Sequence, residues 1–165
     1  MQRTSFESMN CSVAQCLEVI GEWWTPLILR DLFLGVSRFD DFQARLGIAR
    51  NMLADRLAGL VEDGVVEKVP YQTNPERFDY RLTEKGADLW RVITAMRQWA
   101  DRWQAPNGPP LQLLHRSCGK VTTAVMVCSE CGEPLVRRNV RAIDGPGARG
   151  RSTLPVRRLA GDRQA

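Results

Sequence analysis

The sequence predicts a mainly α fold with a small β-wing, a winged helix-turn-helix, on three observations. Two short amphipathic segments meet at a glycine, a pair of strand-like runs follows them, and a longer amphipathic segment comes next.

In the first segment Phe39, Phe42 and Leu46 recur at helical spacing and share one face. Ser37 is placed to cap it, and Asp40 and Asp41 favour its first turn. Gly47 suits a left-handed residue after its last turn, where Ile48 can plug the corner between two helices. The second segment, from about Arg50 to Asp63, gathers Leu53, Leu57 and Leu60 on one stripe. Its other side carries Arg50, Asn51, Ala54, Asp55 and Ala58. Ala49 gives this helix no capping side chain, at a cost of ~1 kcal/mol. Gly59 in its interior costs another ~1 kcal/mol against Ala.

A face of small residues headed by Arg and Asn suits the major groove. Arg can bond guanine O6 and N7, Asn can bond adenine N6 and N7, and Ala permits close approach. An ordinary amphipathic helix also has a solvated face, so the next stretch decides between the two readings. Gly64 ends the helix, Val65 to Tyr71 reads as a strand, Gln72 to Glu76 as a turn containing Pro, and Arg77 to Leu82 as the returning strand. A hairpin in that place is a wing. It carries Lys68, Asn74 and Arg77, side chains suited to phosphate or the minor groove.

Helices flank this reader on both sides. Val13 to Ile20 is one, and Thr25-Pro26 starts another whose Leu27, Ile28, Leu29, Leu32, Phe33 and Leu34 make it apolar nearly all round, hence a core helix. Thr83 can cap a long helix to about Trp103, along which Leu89, Ile93, Met96, Ala100 and Trp103 form a heptad seam flanked by Trp90 and Trp99. Such a seam packs either on the body of its own chain or on a second copy. In the second case, with the Val13 to Ile20 helix, it builds a two-fold dimer that sets two recognition helices about 34 Å apart.

The stretches Cys11-Ser12-Val13-Ala14, Gly21-Glu22-Trp23-Trp24-Thr25-Pro26-Leu27-Ile28-Leu29-Arg30-Asp31-Leu32, Arg38-Phe39-Asp40-Asp41-Phe42, Asn51-Met52-Leu53-Ala54-Asp55-Arg56-Leu57 and Tyr80-Arg81-Leu82-Thr83-Glu84-Lys85-Gly86 together resemble the HxlR family of bacterial transcriptional regulators. The resemblance covers roughly residues 9 to 103. It implies a dimeric winged-helix protein that binds double-stranded operator DNA as a repressor or activator, with Arg50, Asn51 and Arg56 on the recognition helix and Asn74 to Arg77 on the wing. It also places Cys11 where some relatives carry a thiol sensor for oxidants or electrophiles, and it allows a small-molecule pocket near the dimer helices. On burial statistics alone, Cys11 is instead a small packed hydrophobe.

Charge is distributed unevenly. Residues 1–104 carry a net charge of −2 and residues 105–165 a net charge of +6. DNA attraction in the first part must therefore come from local placement of Arg38, Arg50, Arg56, Lys68 and Arg77 on one side. No apolar run approaches the ~20 residues that cross a bilayer, and the polar start lacks a secretory signal, so no membrane partner and a cytoplasmic location are expected.

After residue 104 the composition changes. Residues 105–112 read as a linker rich in Pro and Gly. Then His115-Arg116-Ser117-Cys118-Gly119 and Cys128-Ser129-Glu130-Cys131-Gly132 repeat one pattern, two N or S ligands three apart followed by Gly. Lys120 to Val127 between them reads as a strand. The sole His and three of the five Cys converge here. Four N or S ligands suit tetrahedral Zn2+ in a closed, structural site, so residues 113–143 are expected to form a small zinc-ribbon-like β module. A disulfide or unliganded thiols are the alternatives, and a reducing compartment favours the metal. Some members of the HxlR family resemble this chain in carrying such a tail. Residues 144–165 are basic, rich in Gly and Pro, and expected to be a disordered tail that serves solubility or unspecific DNA attraction.

No Ser/His/Asp set, phosphate-binding Gly loop or open metal site remains, so an enzyme is not expected. A DNA-binding regulator accounts for helix pair, wing and seam together. A zinc-bearing protein-interaction adaptor accounts for the second module but leaves the wing idle.

Overall fold

The computed structural model describes residues 5–148, which divide into two compact units, Met1–Ala124 and Val125–Ala165. The first unit runs α1 (Ser12–Ile20), α2 (Thr25–Phe33), α3 (Phe39–Leu46), α4 (Arg50–Glu62), β1 (Val66–Thr73), β2 (Glu76–Leu82), α5 (Glu84–Asp88), α6 (Trp90–Trp103), β3 (Leu113–His115) and β4 (Lys120–Thr122). Strands β1 and β2 pair antiparallel as the wing, and β3 pairs β4 in a second small hairpin. The helix pair, wing and following helix thus stand in the order expected from the sequence.

The core follows from the apolar spacing. Ile28 and Leu29 of α2, Phe42 of α3, Leu53 and Leu57 of α4 and Val65 before β1 have no exposed surface. Burying side chains of this size stabilises by ~2 kcal/mol each and locks the helix pair onto α2. Gly47 closes α3 in the left-handed region at φ +64°, which a residue without Cβ adopts freely, and Ile48 is buried behind it.

Four local expectations are corrected. Ser37 does not cap α3: Arg38 holds the cap position, and the Ser37 hydroxyl instead bonds Asp79 Oδ1 on the wing at 3.1 Å. The backbone goes the same way, with Tyr80 N–H donating to Ser37 O at 2.7 Å and Arg38 bridging Asp79 as a minimal third strand. The helix expected from Thr83 to Trp103 is two helices, broken at Leu89, whose N–H bonds Gly86 O rather than continuing the α pattern. Gly86 itself packs directly on the backbone before β1: a Cβ there would lie 2.1 Å from Val65 O. Thr83 does cap α5, accepting the Gly86 N–H at 3.1 Å.

The third correction concerns α2, which is not apolar all round. Leu27 and Leu34 reach the surface, while Asp31 is fully buried among the apolar side chains. It is stabilised there by Arg30 Nη2 at 2.7 Å and by Arg45 Nε of α3 at 3.2 Å. Finally, the strand read from Lys120 to Val127 ends at Thr122, and it pairs with β3, which its short run of Leu and His did not reveal.

In the second unit Val127 bridges Pro134, and Leu135 N–H donates to Met126 O at 2.9 Å. Its described residues bury almost nothing: Met126, Val140 and Ile143 are exposed, and Cys128 alone is partly covered. Most of the tail expected over residues 144–165 lies outside the described residues. Among the described residues, no helix is long and apolar enough to cross a membrane.

Candidate nucleic-acid interface

Helix α4 turns its Leu stripe inward and leaves Arg50, Asn51, Ala54, Asp55 and Ala58 exposed. The ridge is therefore an outer surface. Arg50, at its head, is 71% exposed and leans on α3, 4.8 Å over the Phe39 ring and 3.4 Å from Asp40 Oδ1. That double contact holds a long, rotamer-rich side chain beside the first turn of the helix. Asn51 Oδ1 accepts the Met52 N–H at 2.9 Å, which leaves its amide NH2 free of that bond.

Arg56 is placed differently from its neighbours on the ridge. It is about one-third exposed and pairs through Nη1 with Glu22 Oε2, 3.6 Å away, in the segment before α2. A pairing partner so distant in sequence leaves no local trace.

The wing adds cations beside the ridge. Lys68 is exposed, with Nζ 5.6 Å from the Phe78 ring and 6.0 Å from the Tyr80 ring. Asn74 and Arg77 are exposed, Asn74 at the turn and Arg77 at the start of β2, where it pairs in register with Gln72. Arg38 lies 4.7 Å over the Tyr71 ring and 3.7 Å from Asp79 Oδ1. Tyr71 falls where the β1–β2 register shifts, between Pro70 and Gln72; this irregularity, invisible to a period-two reading, accompanies its contact with Arg38. At the base of the wing, burial raises the Tyr80 phenol above its ordinary pKa.

The seam residues divide. Leu89 and Ile93 pack partly against the core of their own chain, whereas Met96, Trp99 and Trp103 are exposed and Ala100 is intermediate. On α1, Val13 and Leu17 are exposed as well. Cys11 is exposed at the N-cap of α1. An open cleft of about 620 Å3 lies between the C-terminal half of α6 and the β3–β4 hairpin, lined among others by Arg97, Trp99, Trp103, Leu113 and Val121.

The two Cys-containing turns are each formed. In the first unit, His115 Nδ1 stands 3.3 Å from Cys118 Sγ, Gly119 N–H donates to His115 O at 2.8 Å, and Gly119 sits at φ +67°. In the second, Gly132 N–H donates to Cys128 O at 2.9 Å and Gly132 sits at φ +75°. The backbone N–H groups of Cys131 and then Glu130, and the Cys131 side chain, hold the Cys128 thiol below its ordinary pKa. Among the described residues, no three His, Cys, Asp or Glu side chains are gathered as a metal site; what the structure describes is the two pairs, one in each unit.

Comparison with known proteins fits the geometry. Residues 19–107 match the HxlR-like helix-turn-helix family. The HTH-type transcriptional regulator Rv3095 of Mycobacterium tuberculosis, itself uncharacterized, is 47% identical over 137 residues, covering 82% of this chain and 87% of that protein. The crystal structure of PA1607, a candidate transcription factor, superposes with a TM-score of 0.76 at 39% identity, over 86% of this chain and all of that one. The redox regulator HypR in its reduced form matches with a TM-score of 0.54 at 29% identity, over 58% of this chain and 95% of that one. The chain is thus a transcriptional regulator with a helix-turn-helix domain and belongs to the HxlR-like helix-turn-helix family.

Proposed function

We propose that the protein is a cytoplasmic, homodimeric repressor that binds double-stranded operator DNA through α4 and the wing. One observation carries the reading: the small-residue face of α4, headed by Arg50 and Asn51, is exposed beside a hairpin that presents Lys68 and Arg77. Arg50 and Asn51 read base edges, while Arg38, Lys68, Asn74 and Arg77 hold phosphate or the minor groove. Arg56 acts through Glu22 on the seating of α4, and it reaches the duplex only by leaving that partner.

The exposed apolar side chains of α1 and α6, Val13, Leu17, Met96, Trp99 and Trp103, supply the surface on which a second copy packs. A two-fold dimer then presents two α4 ridges to successive major grooves. The effector is redox or small-molecule in kind. Cys11 is an exposed thiol, HypR is a redox regulator, and the cleft beside Trp99 and Trp103 is large enough for a small organic molecule.

Footprinting of the purified protein on DNA upstream of its own gene and the neighbouring gene tests the reading. A protected, two-fold symmetric site is expected, with log affinity falling linearly in log salt. Equal affinity for every fragment would overturn it. If mild oxidation abolishes binding equally in wild type and Cys11→Ser, Cys11 is not the sensor.

A further inference from the structure

We infer that Arg81 of β2 is a further DNA contact: with Arg38 it forms a phosphate-binding pair at the base of the wing, and Asp79 is the positioning residue that holds the two together. The pair rests on the proposed binding of duplex DNA through α4 and the wing. To that proposal it adds a residue and the group it takes, a backbone phosphate beside the groove.

Two elements meet at Asp79. Its Oδ1 accepts the Ser37 hydroxyl at 3.1 Å, and Tyr80 N–H donates to Ser37 O at 2.7 Å. The residue before the cap of α3 is thus tied to β2 by side chain and backbone together. Arg38, bridged to Asp79 as a strand neighbour, and Arg81, two residues further along β2, lie on the Asp79 side of the sheet. One guanidinium therefore comes from the helix pair and the other from the wing.

Both converge on one carboxylate. Arg38 Nε stands 3.7 Å from Asp79 Oδ1, and Arg81 Nη2 stands 3.6 Å from Oδ2. The two arginine side chains are 58% and 57% exposed, the aspartate 17%. Neither contact is short enough for a hydrogen bond, so charge draws the guanidiniums together while their N–H donors stay available to another acceptor. The Tyr71 ring, 4.7 Å beneath Arg38, narrows the arcs through which that side chain can swing. A phosphodiester offers two unesterified oxygens, which planar N–H forks match.

The surroundings favour aimed donors over bulk charge. Arg50, at the head of the α4 ridge, reaches Asp40, two residues after Arg38, so the pair stands next to the reading helix. Glu67, exposed and acidic, is in register opposite Arg81. With two carboxylates beside two guanidiniums, attraction of a phosphate depends on where the N–H groups point.

Titration of the full chain over a salt series tests the pair, with the footprinted operator, a random fragment of equal length, and operator duplexes carrying single neutral methylphosphonates. Arg81→Ala is expected to weaken binding to both fragments about 10-fold and to reduce the salt slope by about 1. In wild type, one methylphosphonate position per half-site should cost about 10-fold; in Arg81→Ala that position should cost nothing further. Positions sensed through Lys68 should keep their full effect in Arg81→Ala. Asp79→Asn deletes a negative charge and keeps an oxygen for Ser37, so a carboxylate that merely repels phosphate predicts tighter binding. The expected result is binding about 5-fold weaker, with sensitivity lost at the Arg81 position alone; a purely structural defect would dull every position alike. Wild-type affinity and slope in Arg81→Ala, or tighter binding by Asp79→Asn, overturns the inference and leaves the operator proposal standing. Equal wild-type affinity for operator and random fragment removes the operator proposal, and Arg81→Ala is then judged on the random fragment by the same loss. If wild type binds neither fragment, both fall.

Discussion

Asp31 Oδ2 and Arg45 Nε lie 3.2 Å apart, and the carboxylate is fully buried while the guanidinium is half exposed. The pair joins α2 to α3, the helix that packs against α4. Because Arg30 also holds Asp31, the two substitutions differ in cost. Asp31→Ala leaves two cations without a partner and a void in the core, and it should lower stability by about 3 kcal/mol. Arg45→Ala leaves Arg30 in place at a partly hydrated site and should cost about 1 kcal/mol. Urea unfolding of both variants reads the difference.

The α4 ridge and the wing should answer DNA differently. Arg50→Ala or Asn51→Ala should weaken operator binding by about 1–3 kcal/mol and relax preference at particular base pairs. Lys68→Ala or Arg77→Ala should weaken all sequences alike and reduce the salt slope by about 1. Arg56→Ala, which breaks a partly exposed pair with Glu22, should change affinity less than Arg50→Ala does. Fluorescence titrations over a salt series separate the three behaviours.

Gly86 should tolerate no side chain. Its missing Cβ is the space occupied by Val65 O, a backbone atom at the root of β1 that cannot yield by rotating. Gly86→Ala is expected to cost about 2–3 kcal/mol, seen as a lower urea midpoint with unchanged m-value.

Tyr80 sets an alkaline limit. Burial raises its pKa in the folded state, so the folded chain keeps a proton that the unfolded chain releases at about pH 10. The stabilising contribution is therefore complete below that pH and is lost as pH rises towards the folded value. Tyr80→Phe should flatten this part of the stability profile.

Should the α6 surface carry the dimer, Met96→Asp with Trp103→Asp should yield monomers in sedimentation and weaken operator binding by about 100-fold.

Much of this was readable from spacing. Phe39, Phe42 and Leu46, then Leu53, Leu57 and Leu60, mark two buried faces because helix period and burial coincide, and Gly47 marks the corner because the backbone there is left-handed. What spacing could not carry was long-range pairing. Ser37 with Asp79, Arg56 with Glu22 and Asp31 with Arg45 each join residues that a local pattern never compares. The break at Leu89 was equally hidden, since no helix-breaking residue stands at the break itself.

The most direct measurement is photo-crosslinking from position 58, where Ala58 stands exposed on the ridge of α4. A photoreactive residue there should join major-groove bases at two symmetric points of the protected site, about 34 Å apart. Crosslinks that arise instead from an equivalent group at position 99 of α6, with none from position 58, would contradict the account.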